Sequence, residues 1–202
     1  MLFRSQGLAS APKAENDTHG LIAAYTLAKF KGDYAAADRA LADPRFGELY
    51  TQSTVSVTPT ALLRAQIAWL DGRTADAARL AGEALALMSG WKSNPRQQFF
   101  DLMHRSRGEA LAGRADAALR DARQALAGLE QSDLYLLGEN HVEFARTCVI
   151  LGKSDEAFAS LRAVTRLALY SSSPREWRYD PILSRLKSDP RFEEIIRACG
   201  PL

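Results

Sequence analysis

The chain is poor in the residues that build most sites of covalent or metal chemistry. It has two cysteines, Cys148 and Cys199, and three histidines, His19, His104 and His141. Cysteines so far apart give neither a disulfide framework nor a short-spaced metal pair, and the expected setting is a reducing cytoplasm. No two histidines stand at i and i+4, so no metal or cofactor is expected. Long apolar runs are lacking: none approaches the roughly 20 residues of a membrane span. A surplus of one charge is lacking too, with 26 basic against 24 acidic residues and a net charge of +2. Bulk electrostatics therefore gives no reason to expect nucleic acid or a membrane as partner. There is no glycine-rich phosphate loop, no H-R-D or D-F-G string and no recognition helix. No group of polar residues suggests catalysis, and the chain is read as a non-enzyme. The Asn16-Asp17-Thr18 triplet matches a glycosylation acceptor, which a cytoplasmic protein does not use.

What is present is an ordinary globular composition, 47% hydrophobic and 25% charged, sufficient for one or two compact domains. Arginine outnumbers lysine by 20 to 6 and alanine is abundant, a bias that points to a GC-rich bacterial genome. Residues 1–17 are polar, with small residues and a proline, and read as a disordered linker or the end of a fragment. The opening Met1–Ser5 is too short and polar for a signal peptide. Either the natural chain continues upstream or this terminus frays.

Four segments align on a glycine: KFKGDYAAADRAL, WLDGRTADAARLA, ALAGRADAALRDA and VILGKSDEAFASL. The glycines are Gly32, Gly72, Gly113 and Gly152, spaced by 40, 41 and 39 residues. Five residues after each comes an alanine: Ala37, Ala77, Ala118 and Ala157. Two before each comes Phe30, Leu70, Leu111 or Ile150, and ten before each Ile22, Leu62, Met103 or Val142. Each column has a physical reason. A glycine after a helix supplies the left-handed residue that ends it. An alanine early in the next helix lets two backbones approach. The apolar columns share one helical stripe. The expected fold is all-α, a solenoid of about four helical hairpins over residues 18–174.

This unit resembles the tetratricopeptide repeat (TPR), a family whose repeat is about 34 residues with glycine at the turn and alanine soon after. Gly82–Leu87 (GEALAL) and Arg123–Gly128 (RQALAG) match its late second-helix pattern. The repeats here are longer, and the family's early Trp and Tyr positions are mostly absent, with Tyr25 the nearest survivor. The resemblance is therefore to degenerate TPRs; another helical-hairpin solenoid shares the same physics. It implies a protein or peptide partner bound in a concave groove lined by the first helix of each hairpin.

Asp-Pro-Arg-Phe occurs twice, at 43–46 and 189–192. Asp is a good N-cap and Pro is favoured at the first helical position. Apolar residues follow each phenylalanine: Leu49 and Tyr50 after Phe46, Ile195 and Ile196 after Phe192. Each copy is expected to be a short capped helix with one apolar face, the first closing the side of repeat one and the second sealing the C-terminal end. Residues 175–202 are read as capping helices. Their pattern of Trp177, Asp180-Pro181, Leu186 and Asp189-Pro190-Arg191-Phe192 resembles the closing segment of bacterial TPR arrays that follow a serine/threonine kinase, adenylate cyclase or winged-helix domain. That resemblance implies a sensory or scaffolding role in signalling.

By the TPR resemblance, residues six before each glycine face the groove: Thr26, Gln66, Arg107 and Arg146. One turn away stand Lys29, Trp69, His104 and Glu143. An exposed tryptophan at one end and two arginines at the other suit an extended peptide with acidic residues and an apolar anchor. The plainer reading is a solvated helix face, with Glu143 and Arg146 pairing locally. The family's Lys-Asn carboxylate clamp is absent, which argues against a chaperone tail as ligand. A module that holds two copies of the protein together is the alternative, and an unrecognised helical hydrolase a third. Cys148, four before Gly152, is expected to be a small half-buried packing residue.

Overall fold

The four aligned glycines take the conformation the repeat requires. In the computed structural model, which describes residues 18–53, 56–92, 97–130, 134–167 and 174–198, Gly32, Gly72, Gly113 and Gly152 have φ of 75°, 79°, 77° and 71°. Each closes a double hydrogen-bonded helix end. In the first, Gly32 N donates to the Lys29 carbonyl at 3.2 Å and Asp33 N to the Ala28 carbonyl at 2.9 Å, and the same pair recurs at the other three. These bonds use carbonyls that a helix terminus otherwise leaves open.

The glycines thus join four hairpins: α1 (Thr18–Lys31) with α2 (Tyr34–Ala42), α3 (Thr60–Leu70) with α4 (Thr74–Met88), α5 (Gln97–Leu111) with α6 (Ala115–Leu129), and α7 (Leu134–Ile150) with α8 (Ser154–Val164). Successive hairpins stack, α2 on α3, α4 on α5 and α6 on α7, while α3, α5 and α7 run side by side. The fold is an all-α helical solenoid. The residues before 18, and Cys199, lie outside the described residues.

All four column alanines, Ala37, Ala77, Ala118 and Ala157, are completely buried. At the third crossing the Ser106 hydroxyl donates to the Ala118 carbonyl at 2.8 Å, a contact that a larger side chain at 118 disturbs. The column two before each glycine faces the preceding hairpin. Leu70 joins the cluster of α1 and α2, and Leu111 joins that of α3 and α4. Phe30 occupies the same column in the first hairpin, which has no described neighbour on that side, and it is 53% exposed.

The first copy of Asp-Pro-Arg-Phe departs from expectation. It is a single 3-10 turn, Pro44–Phe46, followed by Gly47 at φ 77° and by two antiparallel strands, β1 (Leu49–Ser53) and β2 (Ser56–Pro59). Leu49 is exposed, so it does not extend a sticky helix face. The second copy opens a true helix, α9 (Pro190–Ala198). The difference lies in one residue: Gly47 turns the chain where Glu193 lets the helix run on. The start is shared. Asp43 accepts from Arg45 N at 3.0 Å, and Asp189 from Arg191 N at 3.0 Å. In both copies the arginine folds back onto its own aspartate and the phenylalanine is buried.

The C-terminal segment is two 3-10 turns, Pro174–Arg178 and Leu183–Leu186, and then α9. Phe192, Ile195 and Ile196 pack with Phe158, Leu161, Val164 and Trp177, so α9 lies on α8, but the expected pair of capping helices is one helix preceded by the two 3-10 turns. Ile182 does something else. It is fully buried in the cluster of the first hairpin, with Tyr25, Ala28, Ile67 and Leu70.

Candidate functional site

The inner face of the first helices carries one polar cluster drawn from three hairpins and the C-terminal segment. Its centre is Glu143 on α7. Arg107 Nη1 on α5 donates to Glu143 Oε2 at 3.1 Å, and Arg146 Nη1, one turn along α7, donates to Glu143 Oε1. Arg146 also reaches Asp180 Oδ2, with Nε at 2.9 Å and Nη2 at 2.8 Å. The other oxygen of Asp180 accepts from Ile182 N and Leu183 N, both at 2.9 Å. This single carboxylate therefore starts the Leu183–Leu186 turn and docks it onto α7.

Electrostatics follows from the geometry. Burial alone would raise the Glu143 carboxyl, but Arg146, Arg107 and His104 outweigh it and hold it at about 2. Burial disfavours the Arg146 charge, yet Asp180 and Glu143 more than restore it and raise its pKa. Lys29, on α1, has its ammonium 5.1 Å from the Tyr25 ring centroid and 5.0 Å from that of Phe30. Burial, with Arg146 and Arg107 adding to it, lowers its pKa. Three cations, Lys29, Arg107 and Arg146, thus share two carboxylates, Glu143 and Asp180, and Lys29 makes no ion pair with a described residue.

The eight candidate groove residues divide. Lys29, Arg107, Glu143 and Arg146 meet in the cluster. Trp69 is half-buried rather than exposed: the Arg185 guanidinium lies 4.0 Å from its ring centroid, and Arg185 Nη2 reaches the Leu70 carbonyl at 3.5 Å. His104 and Gln66 are buried, because β2 lies over α3 and α5. His104 Nε2 meets Thr58 Oγ1 at 3.2 Å, and burial, helped by Arg107, pulls its pKa down to about 3. Thr26 is half-buried. The residue that spacing does not single out for this site is Asp180, which the sequence shows only as part of the closing Asp-Pro pattern; its fit to Arg146 spans 34 positions.

Among the described residues, Ser160 and His141 come nearest to a nucleophile beside a base. The hydroxyl donates to the His141 carbonyl at 2.9 Å and meets His141 Nδ1 at 2.9 Å. The one hydroxyl proton has two acceptors at equal distance, the His141 carbonyl and, in one tautomer, Nδ1. In either arrangement the pair ties α7 to α8. Cys148 is fully buried where a half-buried packing residue was expected, and burial pushes its thiol up to about 12, which disfavours the reactive thiolate. No group of three His, Cys, Asp or Glu that could hold a metal occurs among the described residues. No described helix is long and apolar enough to cross a membrane.

Compared with protein-family models, with curated proteins and with solved structures, the chain finds no match in any of the three.

Proposed function

We propose that this chain is a non-catalytic protein-interaction module of TPR-like hairpins, whose inner groove takes an extended acidic segment of a partner protein. In this reading it is the sensory or scaffolding part of a bacterial cytoplasmic signalling protein. The observation that carries it is the gathering of Lys29 from α1, Arg107 from α5 and the Glu143–Arg146 pair from α7 on one inner face, with Trp69 half-buried on α3. Arginine forks and a half-buried indole are the side chains that dominate binding energy at protein interfaces. The test is to pan a displayed peptide library on the full chain, with Arg107→Ala and Lys29→Ala as counter-selections. Acidic sequences that need both cations are the expected outcome. Enriched sequences indifferent to both, or none at all, would end the reading.

Self-assembly is a second reading, favoured by α1. Leu27 and Phe30 are 54% and 53% exposed. Their counterparts in later hairpins pack on the hairpin before: Ile67 and Leu70 on the first, Gly108 against Leu85 of the second. Another copy of such a hairpin face fits there. Light scattering should then report a dimer that Leu27→Glu with Phe30→Glu converts to monomer; a monomeric parent chain would sink this second reading.

A further inference from the structure

The groove is already filled, and by a piece of the chain itself. Asp180 docks on Arg146, Ile182 is buried among Tyr25, Ala28, Ile67 and Leu70, and Arg185 stacks on Trp69. An acid, an aliphatic anchor two residues on and a cation on an aromatic face are the parts from which a tight peptide contact is made. Trp177, Leu183 and Leu186 point the other way, into the core of α7, α8 and α9. The segment therefore has one side that belongs to the fold and another that reads the groove.

The groove side is imperfectly satisfied by this occupant. Three cations face two carboxylates, and Lys29 is left on aromatic rings without an ion pair to a described residue. Nε of Arg107, a residue only 7% exposed, has no hydrogen-bond partner among the described residues. A buried donor left unpaired is costly, and more so when charged. An occupant with a second acidic residue within reach of Lys29 and Arg107 satisfies what Asp180 alone does not.

We infer that residues Asp180–Arg185 are a built-in competitor, and that the partner's docking segment is an acidic peptide with an Asp or Glu two residues before an aliphatic side chain and a further acid nearby. This rests on the groove reading proposed above and adds its ligand and its control. Partner binding then opposes an intramolecular contact, so the apparent affinity is the intrinsic one reduced by the fraction of molecules whose groove is free. Weakening the groove side of the segment should raise affinity, whereas weakening a purely structural strap should not.

The probe is a labelled peptide of residues 176–187, EWRYDPILSRLK, and a second peptide in which Ser184 is replaced by Glu. Fluorescence anisotropy measures their binding to the full chain, to Asp180→Asn with Ile182→Ala, and to that pair combined with Lys29→Ala or Arg146→Ala. The opened variant should bind the first peptide about ten-fold or more tighter than the parent chain, a change of about 1.4 kcal/mol or more. The second peptide should bind more tightly still; Arg146→Ala should remove the gain seen with the first peptide, and Lys29→Ala the further gain of the second. If the opened variant fails to fold by circular dichroism, Arg185→Ala, which gives up only the Trp69 and Leu70 contacts, replaces it with the same expected direction. A folded variant that binds no better than the parent, or a gain indifferent to Lys29 and Arg146, overturns the inference. Should library peptides still require Arg107 and Lys29 in that event, the interaction reading survives without the competitor.

Discussion

At the scale of single residues, the repeat is read most directly in its smallest side chains. Ala118 is buried at the α5–α6 crossing, where Ser106 bonds its carbonyl. Ala118→Leu should therefore cost about 1–3 kcal/mol through overpacking, seen as a lower urea midpoint with unchanged slope. Gly82 tests the opposite case. It lies inside α4, and a Cβ built there meets nothing within 4 Å. Gly82→Ala should stabilise by about 0.5–1 kcal/mol, because the unfolded chain loses freedom and the fold loses nothing. A Cβ at Gly128, in contrast, runs into the Phe99 ring, so alanine there should not give the same gain. Both glycines belong to the late second-helix pattern visible in the sequence; only packing tells them apart.

His104 sets a pH dependence. Burial holds its imidazole neutral, with a pKa of about 3 in the fold against an ordinary 6.5. As pH falls, the unfolded chain takes up this proton first. The stability linked to the neutral ring is complete above about 6.5 and drains as pH drops toward 3, by up to about 1.4 kcal/mol per pH unit. Glu143 adds a second loss, full above its ordinary 4.5 and drained as pH falls toward about 2. Urea midpoints should thus fall between pH 6.5 and 4.5 and more steeply below. His104→Gln should reduce the first part, which His141 shares because burial lowers its pKa as well, and should remove the His104 share of the second while leaving that of Glu143. A parent chain with no slope between 6.5 and 4.5 would mean that water reaches the imidazole. The TPR resemblance puts His104 on the groove; β2 covers it, and the sign of a strand that the helical register passes over is the run of Tyr, Thr and Val in LYTQSTVSVT, residues 49–58.

At the scale of elements, the two copies of Asp-Pro-Arg-Phe show what four residues can and cannot specify. They specify a start: aspartate accepting a backbone N–H, proline setting φ, arginine returning to the aspartate, phenylalanine inserted. They do not specify continuation, which belongs to the fifth residue. At Gly47 the backbone is left-handed. Gly47→Ala should cost about 1–2 kcal/mol, although a Cβ has open space there, because the penalty is conformational rather than steric. A change near zero in thermal midpoint would place the turn elsewhere. The repeat spacing could not reveal the extra strands either: a short α2 followed by β1 and β2 occupies about the same length as the longer helices of the later hairpins, so Gly32 to Gly72 looks like the rest.

At the scale of the whole molecule, the C-terminal segment is both lid and bridge. The lid was legible, because paired Asp-Pro starts with spaced apolar residues announce short amphipathic turns at the end of a stack that must be closed. The bridge was not. No periodicity says that Ile182 returns to the first hairpin, since that depends on how four hairpins curve in space. The consequence is measurable. Removing residues 175–202 takes away Trp177, Ile182, Leu183, Leu186, Phe192, Ile195 and Ile196, all buried. Each contributes about 1.5–3 kcal/mol when fully buried, so together they rival the typical 5–15 kcal/mol stability of a domain. The shortened chain should aggregate or melt at a markedly lower temperature. Loss should appear at both ends: Phe158 and Leu161 lose their cover on α8, and Tyr25 and Leu70 lose Ile182. Hydrogen exchange separates the two roles. In the full chain with Ile182→Ala, faster exchange in α1 and α3 with α8 unchanged is the signature of the bridge, and in Phe192→Ala the reverse order is the signature of the lid. A soluble chain of residues 1–174 with an unaltered melting temperature would show that neither contact stabilises the stack.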